Sequence, residues 1–145
     1  MPAYGECRAE EINATPQECF DALTDFERLP DWQAAVRSVT VLERDSAGRG
    51  TVVEFEVDAR VKKVRYRLRQ VYDEPRRIGS EYLGGDFRDF TGEWRFVALA
   101  DGRTRAELDL RIDPGRFVPG PLRAVIADVV MRGALSDLKR RFSAG

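Results

Sequence analysis

The chain has 145 residues, 43% of them hydrophobic and 34% charged, enough for one domain with a real core and too few for two. Lys plus Arg number 24 against 25 Asp plus Glu, a formal charge of −1, so no global basic field exists to recruit nucleic acid. There is no histidine, which removes Ser-His-Asp triads, Cys-His dyads and the usual zinc sites together.

No run approaches the roughly 18 apolar residues of a membrane span. The N-terminal Tyr4, Glu6, Glu10 and Glu11 do not make a signal peptide's apolar stretch, so a cytoplasmic address without stable membrane insertion is expected. Cys7 and Cys19 could bridge, but in such a compartment two free thiols are the simpler expectation. No cofactor and no metal are expected.

Residues 4–13 alternate enough to predict a first strand, with neither face marked as the inner one. Thr15-Pro16-Gln17-Glu18 is sharper: Thr15 can cap, Pro16 suits the first helical position and Glu18 closes a capping box. The helix that follows carries Cys19, Phe20 and Leu23 on one face. A second short helix or turn is expected through Asp25, Phe26 and Leu29, stopped by Pro30, with Trp32 on the connection beyond it.

From Val36 the period changes to two, with turns at Asp45 to Gly48, Asp58 to Arg60, Asp73 to Arg76, Gly84-Gly85 and Asp101-Gly102. Five antiparallel strands are expected there. In 51–58, Val53, Phe55 and Val57 alternate with acids; in 61–72, Val64, Tyr66, Leu68 and Gln70 alternate with Lys63, Arg65, Arg67 and Arg69. Each strand therefore has a dry and a wet face. A tight hairpin centred on Ala59-Arg60 would set Glu56 across from Lys63 and Glu54 across from Arg65, so cross-strand charge pairing accounts for the basic run without nucleic acid.

In the strand expected from Asp86 to Ala98, the phase Arg88-Phe90-Gly92-Trp94-Phe96 is taken as inward because it collects the large aromatics, with Gly92 marking a bulge or bend. The last strand turns Thr104, Ala106, Leu108, Leu110 and Ile112 one way and Arg105, Glu107, Asp109 and Arg111 the other. A Pro- and Gly-bearing loop, 113–120, leads into a helix from Pro121 to about Phe142, a rod of about 33 Å. Its row of fours, Leu122, Ile126, Val130, Ala134, Leu138 and Phe142, is apolar throughout, flanked by Val125, Val129, Met131 and Leu135.

This order predicts an α+β fold in one domain, 1–145: two short helices after the first strand, then an antiparallel sheet covered on one face by the long helix. A sheet bent by glycines need not close tightly on one rod. The candidate lining of the space between them is Trp32, Val64, Tyr66, Leu68, Tyr82, Phe90, Trp94, Leu108, Ile126 and Val130, with Phe96 in the same phase. Tyrosine and tryptophan bring polar tips that need partners when buried. These side chains could equally fill a solid core or surround a small-molecule site.

Several stretches resemble the START-like, helix-grip superfamily, and within it the small polyketide cyclase and coenzyme Q-binding type. They are Ala14 to Glu18 leading into Phe20, Asp25-Phe26-Glu27-Arg28-Leu29-Pro30-Asp31-Trp32, Gly85-Asp86-Phe87 running to Gly92-Glu93-Trp94-Arg95-Phe96, and the Pro-Gly loop before the last helix. The resemblance implies a curved sheet wrapped around the C-terminal helix, with a hydrophobic cavity between them. It implies binding or transport of a hydrophobic small molecule, whether lipid, quinone or polyketide-like.

The alternative that the resemblance carries is a polyketide aromatase/cyclase or dehydratase, working without metal or histidine. In cyclases of this type the pocket side of the strand matching 61–72 presents hydroxyl and arginine groups. Here Tyr66 keeps a hydroxyl, whereas Arg65, Arg67 and Arg69 should point to solvent; Glu81, Glu93 or Arg95 could serve only if a register brought one inward. A further alternative is a ribosome- or quinone-pathway-associated interaction module, and a homodimer is left open.

Overall fold

A computed structural model describes residues 4–60, 62–115 and 118–143. Seven strands form one open antiparallel sheet in the order β1-β7-β6-β5-β4-β3-β2, with β1 and β2 at its edges. They are β1 (Tyr4–Ile12), β2 (Val36–Arg44), β3 (Gly50–Asp58), β4 (Lys63–Asp73), β5 (Arg77–Gly85), β6 (Asp89–Ala98) and β7 (Thr104–Asp113). Helix α1 (Pro16–Thr24), a 3₁₀ turn (Phe26–Arg28) and α2 (Leu29–Trp32) lie between β1 and β2, and α3 (Gly120–Arg141) closes the chain. The expected α+β, helix-grip architecture is the one found. The stretch after Val36 holds six strands instead of five, since five turns divide it into six segments.

Helix α1 begins where the capping box places it. Thr15 Oγ1 accepts from the Glu18 N–H at 3.1 Å, and the Glu18 carboxylate accepts from the Thr15 N–H at 2.9 Å. Pro30 acts differently from expectation: it sits in the first turn of α2 instead of ending a helix, and Trp32 is the last residue of α2. The missing N–H of a proline costs nothing in a first turn, where that donor has no intrahelical partner.

The β3–β4 hairpin pairs charges as expected but two residues out of the expected register. Glu56 faces Arg65, Glu54 faces Arg67 and Asp58 faces Lys63. Arg65 Nη2 lies 2.7 Å from Glu56 and Arg67 Nε 2.8 Å from Glu54. The loop is longer than a two-residue turn: Ala59 N–H donates to the Lys62 carbonyl, and Arg60 takes a φ of 71°. Val61, expected in this strand, falls outside the described residues. A slip of two preserves which side chains face in, so the dry face is unaffected.

On β6 the inward phase holds for Phe90, Gly92, Trp94 and Phe96, but the strand begins at Asp89; Arg88 is exposed and Phe87 is buried from the preceding loop. Gly92 sits in unbroken register opposite Ser80 and Leu110, so it marks no bulge. A Cβ there would stand 2.9 Å from Leu110 Cδ1, so the position is small because Leu110 leans over it. The register shift falls instead between Arg67 and Leu68, opposite Gly84 and Tyr82 at the end of β5.

The core runs between the sheet's dry face and the helices, with Ile12, Phe20, Val53, Ala106, Ile112, Ile126 and Leu138 fully enclosed. On α3 Ile126, Leu135 and Leu138 are buried, while Leu122, Val129, Val130, Ala134 and Phe142 are only half-buried and Val125 is exposed. The side chain of Met131 falls outside the described residues. The stripe is thus fully packed near Ile126 and toward the C-terminal turns, and looser around Val129 to Ala134. Among the described residues no helix is long and apolar enough to cross a membrane.

Candidate functional site

The loose middle of α3 is one wall of a cavity of about 110 Å³. The sheet supplies Phe55 and Val57 from β3, Tyr66, Leu68 and Gln70 from β4, and Ile78 and Ser80 from β5. Beyond them come Phe90, Gly92 and Trp94 from β6 and Leu108 and Leu110 from β7. The short helices add Leu23, Phe26 and Leu29, the connection to β2 adds Gln33 and Ala35, β2 begins with Val36 at the wall, and α3 adds Val129, Val130, Gly133, Ala134 and Asp137. Alternation on the strands and i, i+3, i+4, i+7 spacing on α3 put these positions on common faces.

Tyr66 is at the centre of the aromatic part. Its ring stacks on Phe55 at 5.5 Å and on Phe90 at 5.2 Å, with Phe87 at 5.1 Å. The residue is 5% exposed, and its hydroxyl makes no hydrogen bond to any described residue. Burial pushes the phenol well above its ordinary value, so it stays protonated and available as a donor. Farther along β4, the Ser80 hydroxyl donates to Gln70 Oε1 at 2.6 Å. On α3, Asp137 accepts from the Ala34 N–H at 2.9 Å and from Arg140 at 2.6 Å, tying the α2–β2 connection to the helix.

Of the residues read from the sequence as candidate lining, Tyr66, Leu68, Phe90, Trp94, Leu108 and Val130 surround this cavity. The other four do not. Trp32 lies at the end of α2 under the Arg141 guanidinium, 5.2 Å away. Val64 and Ile126 are sealed in the core. Tyr82 is half-buried and spends its hydroxyl on the Phe87 carbonyl at 2.6 Å.

The sequence reading missed Asp137, Gly133 and the residues from the short helices. Asp137 is seven positions after Val130 on the same helix face, a spacing that would have found it. The short-helix residues are brought to the cavity by tertiary packing alone, which no local period signals.

The charged groups of the strands turn away from this space. Glu93 borders the cavity beside Gly92 and Trp94, but its carboxylate is held by Arg77 at 3.0 Å and Arg95 at 3.1 Å along the outer face. These partners keep its carboxyl below the usual range. Arg95 is also bound to Glu107 at 3.2 Å, and Glu81 faces Arg69. Neither thiol offers a nucleophile to the cavity: both are free, Cys7 is exposed, and burial pushes Cys19 up to about 11.

The shape of the whole chain has close counterparts. A START superfamily protein from Mycobacterium smegmatis matches with a TM-score of 0.83 at 21% identity, over 95% of this chain and 96% of that one. A protein from Thermus thermophilus matches at 0.80 and 23% identity, over 96% and 97%. The Zhui aromatase/cyclase from Streptomyces matches at 0.80 and 20% identity, over 97% and 93%. At these identities the likeness is one of fold. Sequence comparison with curated proteins finds no match. The family model described as polyketide cyclase / dehydrase and lipid transport matches residues 12–139, so the chain, with its open sheet, closing helix and cavity, belongs to that family.

Proposed function

We propose that this protein binds, and carries, a hydrophobic small molecule in the cavity between the sheet and α3. The observation that carries the reading is an apolar cavity whose wall holds the unpartnered hydroxyl of Tyr66, a residue only 5% exposed. Buried polar groups are nearly always satisfied, so one left open toward a hollow is matched by something that enters it. At about 110 Å³ the cavity is smaller than the roughly 300–1,000 Å³ of pockets for drug-sized ligands. A ligand of that size therefore widens it, and the half-buried middle of α3 is the wall with the least packing to lose.

A cyclase or dehydratase reading has less to stand on. Arg65 and Arg67 are on the outer face in ion pairs with Glu54 and Glu56, and Glu81, Glu93 and Arg95 are paired there as well. Among the described residues the sheet brings no acid–base pair into the cavity. Organic extraction of the purified protein, followed by mass spectrometry, should recover an apolar compound in stoichiometric amount. Apolar ligands added to the emptied protein should raise its melting temperature with concentration. If nothing is extracted and no apolar compound shifts the melt, the cavity is a packing defect and the reading fails.

A further inference from the structure

The chemistry of the occupant can be narrowed, a step that rests on the binding role just proposed. Two of the hydrogen-bond donors left over in the wall lie on β4. One is the Tyr66 hydroxyl. The other is the side-chain NH₂ of Gln70: its oxygen is taken by Ser80 at 2.6 Å, and the nitrogen has no partner among the described residues. Both residues are at least nine-tenths buried, at 5% and 6% exposure. They are four positions apart on β4, so they share the inward face with about 13 Å between their backbones.

The charges on the same wall have one sign. Among the described residues none of the lining side chains is lysine or arginine, while Asp137 is an acid and Glu93, which borders the space, holds its carboxylate on the outer face. The cation nearest to Asp137 is Arg140, and its guanidinium is committed to that carboxylate at 2.6 Å. The arginines of β4 face the other way, and Arg77 and Arg95 are bound to Glu93.

A carboxylate or phosphate entering here would shed its water, meet no free counter-charge and approach the Asp137 carboxylate. A carbonyl, hydroxyl or ether oxygen would meet an unpartnered donor already in the wall. We infer that the cavity selects an uncharged, oxygen-bearing apolar molecule, of the ketone, quinone or alcohol class, and rejects fatty acids and other organic anions.

Three probes with one ring system test this: naphthalene, 2-acetylnaphthalene and 2-naphthoate, titrated calorimetrically at about pH 7.5, where the last is ionised. The ketone should bind best, and naphthoate at least about tenfold more weakly. Tyr66→Phe keeps the ring stack and should weaken the ketone about three- to tenfold while leaving naphthalene unchanged; Gln70→Leu serves as the second variant, with circular dichroism verifying the fold of both. Naphthoate binding as tightly as the ketone overturns the exclusion of anions and leaves the cavity reading intact. Ketone affinity unmoved by both variants overturns the role of the two donors. If none of the three probes binds, the binding role itself falls and this inference with it.

Discussion

Gly84 and Gly85 show how closely a single residue can set the geometry of the wall. Both have positive φ, 139° and 141°, but a Cβ on Gly84 would meet nothing within 4 Å, whereas one on Gly85 would stand 2.4 Å from the Arg65 carbonyl oxygen and 2.5 Å from Tyr66 Cα. Gly84→Ala should cost only the backbone strain, about 1–3 kcal/mol. Gly85→Ala adds a backbone collision under Tyr66, and should cost about 2–6 kcal/mol when strain and overpacking are combined. Urea titrations of the two variants check this; equal midpoints would mean that the collision is relieved by easy movement of β4. From the residue string the Gly-Gly pair reads as a turn. What it cannot disclose is that the pair ends a strand against the backbone of its neighbour, because that demand comes from β4.

At the scale of elements, α3 carries a similar lesson. Its apolar row was visible, and so was its length, because both follow from a 3.6-residue period. The half of that row that would be left loose was not visible, since looseness depends on what the sheet places opposite. Gly133 sits in this part, and a Cβ there would meet nothing within 4 Å beyond its own turns of helix backbone. Gly133→Ala should therefore stabilise the protein by about 0.5–1 kcal/mol through helix propensity, read as a higher urea midpoint. Gly133→Leu should fill the cavity and weaken apolar ligands; undiminished binding would place the ligand elsewhere. The β3–β4 register was misread for a comparable reason. Charge alternation names the partners of a strand only up to a slip of two, and the length of the 59–62 loop decides among the slips.

Over the whole molecule, the outer face of the sheet is a field of arginine–carboxylate pairs. Arg105 and Arg95 hold the Glu107 carboxyl below its usual 4.5, Arg77 and then Arg95 do the same for Glu93, and Arg65 for Glu56. A folded-state value lower than the unfolded one gives stability that is present above 4.5 and drains away as pH falls through the lowered values. Denaturant midpoints should thus be level from about pH 7 to 5 and decline below that, with a shallower decline in high salt because exposed pairs are screened. A flat profile down to acid would mean that these contacts contribute nothing.

Strand order has a temporal corollary. Every strand from β2 to β7 pairs with one that precedes or follows it directly, but β1 pairs with β7, so that Ile12 lies beside Thr104. A nascent chain emerging from its N-terminus must hold β1 unpaired until nearly everything else has been made, and such distant closure is intrinsically slow. The wall that α3 gives the cavity, Val129 to Asp137, is also made late, so the compartment is complete only once the last-made element has folded onto the sheet.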